Sequence, residues 1–100
     1  MRRATTPTHT FELDIDPSLI KEILITYSQN NKEVLSKRKK DITFDGNVAV
    51  VKLTQEEANL FMMGIDIEIQ VRAFTTSGDA PASDIFKEPC ERVLNDEVMV

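Results

Sequence analysis

The chain has no tryptophan, one cysteine, one histidine and three glycines in its 100 residues. Each shortage excludes something. A lone Cys90 forms no internal disulfide, and one thiolate does not build a structural zinc centre. The fold must therefore rest on packing, as suits a reducing compartment. Gly46, Gly64 and Gly78 are too scattered to cradle a phosphate or to frame a dinucleotide fingerprint. The aromatics are five phenylalanines and Tyr27. Most read as core positions, which leaves no stacking platform for single-stranded nucleic acid. No window approaches the roughly 18 apolar residues that cross a bilayer, so no membrane partner is expected. Behind Met1-Arg2-Arg3-Ala4, the stretch Thr5 to Thr10 is polar where a secretory signal would be apolar. Export by that route is not expected.

What is present is enough for one modest core. Leu, Ile, Val and Phe make up 29 residues of the 100, well above the composition of a disordered chain. The formal net charge is -5, which disfavours nonspecific binding to nucleic acid. The charge is uneven. Residues 1–40 carry 8 basic and 5 acidic groups, whereas residues 41–100 carry 4 basic and 12 acidic groups.

The dominant pattern has a period of two. Phe11, Leu13 and Ile15 alternate with polar residues, as do Ile23, Ile25 and Tyr27. Ile65, Ile67, Ile69 and Val71 form the clearest run, separated by Asp66, Glu68 and Gln70. Alternate side chains of a strand point to opposite faces, so each run reads as a strand with one wet side. Branched residues favour that conformation. Asn30-Asn31, Asp45-Gly46 and Ser77-Gly78-Asp79 supply reversals between runs. The spacing predicts about seven strands, at 8–14, 21–28, 33–39, 41–45, 47–53, 65–74 and 83–94, with 33–39 and 41–45 readable as one bent strand.

One segment breaks the alternation. Thr54 followed by Glu57 has the form of a capping box, and Gly64 stands as a stop, so a short helix over 54–62 is expected. Its Phe61 would cover one end of the core. This order of elements predicts an all-β fold, an immunoglobulin-like antiparallel β-sandwich, with a small partly open barrel as the second choice. Pro89 has no N–H to give, so the last strand must be an edge or bulged there. The expected organisation is a flexible arm over residues 1–7, the sandwich over 8–95 and a tail over 96–100.

The candidate chemical groups are few. His9 shares the parity of Phe11 and reads as a half-exposed strand residue. Cys90 reads as a small buried hydrophobe. Asp14 and Asp16 fall on one side of a strand, but they lack the glycine turn and distant glutamate of a calcium loop. Glu56 and Glu57 are accounted for by helix capping, and Asp96 and Glu97 by a solvated tail. No metal, cofactor or catalytic set is expected, and the chain reads as a non-enzyme. Lys37, Arg38, Lys39 and Lys40 form the one basic cluster. On a strand it would protect an edge; otherwise it could contact a phosphate or an acidic protein partner, and with Arg72 or Lys52 it could form a steering patch. Tyr27 with Gln29, Asn30 and Asn31 is the only set that could suit a carbohydrate.

Several stretches carry a wider likeness. They are Arg3-Ala4-Thr5-Thr6-Pro7-Thr8-His9-Thr10-Phe11, Leu19-Ile20-Lys21, Ile25-Thr26-Tyr27-Ser28-Gln29, Val51-Lys52-Leu53-Thr54-Gln55-Glu56, Ser83-Asp84-Ile85 and Leu94-Asn95-Asp96-Glu97-Val98. With these the chain resembles small prophage-encoded proteins of Gram-positive gut bacteria and their relatives. The resemblance spans nearly the whole chain. It implies a structural or accessory part of a phage tail or baseplate, akin to the amino-terminal β-sandwich modules of baseplate proteins, and it brings no catalytic residue. The family tends to have a regular alternating strand after Ile85, which Lys87, Glu88 and Pro89 interrupt here.

The expected function is thus assembly through protein contacts, with a protein partner or further copies of the chain. The expected location is the virion, or the host cytoplasm during assembly. The alternative is a module that binds a carbohydrate or a host-surface ligand.

Overall fold

The computed structural model describes residues 1–100. In chain order it contains β1 (Thr8–Glu12), β2 (Ile20–Gln29), β3 (Lys32–Arg38), β4 (Thr43–Asp45), β5 (Val48–Lys52), α1 (Gln55–Ala58), β6 (Ile67–Thr75) and β7 (Phe86–Glu88). The strands form two antiparallel sheets, ordered β1-β5-β4 and β3-β2-β6-β7. The chain leaves the first sheet after β1, makes the β2–β3 hairpin in the second, and returns for β4 and β5. It then crosses back for β6 and β7. With β5 beside β1 and β6 beside β2, this wiring is the immunoglobulin-like sandwich that the alternation predicted.

The core follows from parity. Ile23, Ile25 and Tyr27 of β2 and Ile67, Ile69 and Val71 of β6 point inward and are buried. Phe11, Ala49 and Val51 meet them from the first sheet, with Ile42 and Leu53 filling its flanks. Burying each large apolar side chain stabilises the fold by about 1.5–3 kcal/mol. The turns are set by sequence. Gln29 pairs with Lys32, and Asn30 and Asn31 between them have φ of 51° and 62°. Asparagine tolerates that region because its short side chain bonds locally.

Four local differences from the sequence reading have physical causes. First, 33–39 and 41–45 are separate strands in opposite sheets. A 3₁₀ turn at Lys39–Asp41 carries the chain across. Lys39 Nζ donates to the Ile20 carbonyl at 2.7 Å and ties the turn down, and Ile42 then enters the core. Second, the helix is a single turn, Gln55–Ala58, rather than running over 54–62. The Thr54–Glu57 capping box forms as expected. After Ala58, however, Phe61 drops into the core against Tyr27, and the Met62 N–H goes to Gln29 Oε1 at 2.8 Å.

Third, β6 begins at Ile67, because the Ile65 carbonyl is taken by Gln29 Nε2 at 2.9 Å. Fourth, the expected 83–94 strand is reduced to Phe86–Glu88, which stops at Pro89.

Both ends lie against the sandwich. The Met1 ammonium sits 3.0 Å from Glu88, and Arg2 forms a parallel bridge with Glu91. Arg3 pairs with Asp96 at 2.9 Å, and Ala4 is buried. The Gln55 amide grips the Met99 main chain, donating to its carbonyl and accepting from its N–H.

Candidate functional site

The basic cluster straddles the end of β3 and the 3₁₀ turn rather than lying on one strand. Its four cations therefore have different surroundings. Lys37 points inward from β3 and pairs with Glu57 of α1. Burial alone would raise the Glu57 carboxyl. Hydrogen bonds from Lys37 and from the Thr54 backbone outweigh it and hold the group below its usual range. Lys39 is used on the Ile20 carbonyl. Arg38 and Lys40 remain exposed. The cluster thus joins a sheet edge to the helix and leaves two cations facing solvent.

A second polar group lies inside the open edge between β1 and β7, and its partners are far apart in sequence. His9 Nδ1 is 2.9 Å from the Tyr27 hydroxyl. His9 Nε2 is 2.8 Å from Glu88 Oε2, close but without hydrogen-bond alignment. A carboxylate only accepts. In neutral His9 the proton therefore belongs on Nε2, facing Glu88, and Nδ1 accepts from Tyr27. Burial, reinforced by the Glu88 and Glu57 carboxylates, pushes the Tyr27 hydroxyl far above the ordinary phenol range. Tyr27 thus keeps its proton and can donate to neutral His9, and the phenol has no exposed surface.

The remaining candidates separate. Asp14 and Asp16 lie beyond β1 in the loop before β2. Asp16 caps the 3₁₀ turn at Pro17–Leu19 through the Ser18 N–H, which lowers its carboxyl from the usual value. No cluster of three His, Cys, Asp or Glu side chains has the geometry to hold a metal ion. Cys90 is buried, and burial raises its thiol. The expected carbohydrate set does not assemble. Tyr27 is enclosed, and Gln29 is buried with its amide bonded to Met62 and Ile65.

Two surfaces stand out that the sequence reading did not single out. At the end of the sandwich beyond α1, Leu60, Met62 and Met63 are exposed. Leu60 and Met62 share a groove with Val34, Lys32 and Glu33 of the β2–β3 hairpin. At the β1/β7 edge, Phe86 is exposed, and its ring stands 5.8 Å from that of Phe11. The signal for the first surface was the Leu60-Phe61-Met62-Met63 run, which is more apolar than one helical turn can bury. The second surface had no local signal.

No family model, curated protein or solved structure matches the chain.

Proposed function

We propose that the protein is a non-enzymatic module that works through protein–protein contacts, as a structural or accessory part of a phage particle in tail or baseplate assembly. The observation that carries the protein-contact reading is the apolar end beyond α1. Leu60 and Met62 are 55% and 60% exposed and border one groove with Val34. Apolar side chains gathered on a small domain, with charged residues at their rim, suit a protein surface. Methionine adds to that fit, because its flexible thioether adapts to irregular partners. The exposed Arg38 and Lys40 give an acidic partner a second point of attraction. The particle setting comes from the resemblance in sequence.

The test is the composition of particles from induced cells. The reading expects the chain in purified particles, or in a complex with particle proteins, at fixed stoichiometry by quantitative mass spectrometry. A Leu60→Ser, Met62→Ser double variant should fold normally and lose that association. A chain absent from particles and from every complex of their proteins would sink the reading.

A further inference from the structure

We propose that the free edge of β1 is an acceptor for an extended strand from a partner protein, with alternate apolar side chains and a basic residue opposite Glu12. This deepens the protein-contact reading above and rests on it.

The main chain makes the first argument. β1 pairs only with β5, and the register joins His9 to Val51 and Phe11 to Ala49. Leu53 N–H donates to the Pro7 carbonyl and Leu13 N–H to the Asn47 carbonyl, on the same ladder. In an antiparallel ladder such bonds fall on alternate residues. The odd-numbered residues of β1 therefore face β5. The N–H and C=O groups of Thr8, Thr10 and Glu12 point the other way and meet no strand. Immunoglobulin-type sandwiches place a further strand on this flank. Here the preceding segment turns aside, and Arg2 bridges to Glu91 instead.

The four edges differ, and that makes the second argument. Lysine, proline, bulges and short length each guard an edge against pairing. β3 carries Lys32, Lys37 and Arg38 and has a register shift against β2. β4 and β7 are three residues each, and β7 runs into Pro89. β1 has no lysine, no proline and an unbroken register over Thr8–Glu12. It is the one edge left unguarded.

The seat itself is the third. A groove of about 520 Å³ runs between the β1 edge and Phe86, Lys87 and Glu88 of β7. That suits a few residues of extended chain rather than a folded surface. Phe86, 46% exposed, forms part of its apolar floor beside Phe11. A second, smaller apolar cleft of about 140 Å³ continues past Phe11 and Phe86 towards Leu13 and Val71. Side chains of an added strand alternate, so those turned inward would meet Phe86 and those turned outward would lie beside Thr8, Thr10 and Glu12. Glu12, with Asp14 just beyond it, sets the charge, since β1 has no cation of its own.

The test uses the full chain, labelled with ¹⁵N, and a blocked seven-residue peptide of alternating valine and lysine. Binding should shift the amide resonances of Thr8–Glu12 and Phe86–Glu88. It should slow hydrogen exchange at Thr8, Thr10 and Glu12 by roughly tenfold or more, and leave His9 and Phe11, already bonded to β5, unchanged. A valine–glutamate peptide should bind about tenfold more weakly at low salt, and so should the valine–lysine peptide to a Phe86→Ser variant. No shift at these amides up to millimolar peptide, or protection without the alternate-residue pattern, would overturn the assignment. So would slow exchange at the three amides in the peptide-free protein together with a dimeric mass by light scattering, since a second copy would then fill the edge. Loss of this site with particle association intact would refute the strand acceptor alone.

Discussion

Replacing Lys37 by methionine and Glu57 by glutamine, singly and together, isolates the contact that fastens α1 to the edge of β3. Lys37→Met keeps the apolar stem of the side chain. Glu57→Gln keeps a capping-box partner for Thr54, because glutamine can also reach the N-cap N–H. The cycle therefore reads the charge rather than the cap. An exposed ion pair contributes about 0.2–1 kcal/mol, and a hydrogen bond to a charged group about 1.5–3 kcal/mol. The two side chains are 13% and 22% accessible, between those limits, so a coupling of about 1–2 kcal/mol is expected at pH 7. For a domain of this size a loss of that amount should lower Tm by about 4–16 °C.

The dependence on pH follows from the depressed Glu57 carboxyl. A group whose folded pKa is lowered contributes fully above its unfolded value, here the ordinary 4.5, and loses that contribution as pH falls through the folded value. Urea denaturation of the four proteins at pH 7 and at pH 2 measures both. A coupling under about 0.3 kcal/mol at pH 7, or one of equal size at pH 2, would refute the reasoning.

Three further outcomes are expected. Tyr27→Phe leaves His9 Nδ1 without its donor inside the open edge and should cost about 1–3 kcal/mol in urea denaturation, although no apolar contact is lost. Phe61→Ala opens a cavity under the end of the core and should cost about 3–5 kcal/mol, with Phe61→Leu costing well under half of that. Cys90 is buried and its thiol is raised, so a disulfide reagent at pH 8 should modify the native protein on the order of a hundredfold more slowly than the urea-unfolded chain. Equal rates would place Cys90 at the surface.

The strands were legible because their signal is local. Ile67, Ile69 and Val71 announce a half-buried strand wherever they are found, and Asn30-Asn31 announces a reversal. What failed to show was decided at a distance. The break between β3 and β4 depends on Lys39 finding the Ile20 carbonyl, nineteen residues earlier. The shortening of α1 depends on Tyr27, against which Phe61 packs, and on Gln29, which takes the Met62 N–H. The same limit applied to the candidate site. Lys37 looked like a free edge cation until Glu57 was placed beside it. His9 looked solitary because Tyr27 and Glu88 approach it from two other strands. Tyr27 looked available for a ligand by composition alone, and its inward parity is what removed it.

Gln29 holds the segment after α1 by its main chain. Its amide takes the Met62 N–H, the Met62 carbonyl and the Ile65 carbonyl, and touches no side-chain polar atom of that segment. A grip of this kind is indifferent to what the gripped residues carry. Positions 60, 62 and 63 can therefore change in size, charge or shape while the loop keeps its path, provided Gln29 and Phe61 stay. The sandwich thereby acquires an interchangeable face. That face can be rewritten by a handful of substitutions without reopening the question of how the chain folds.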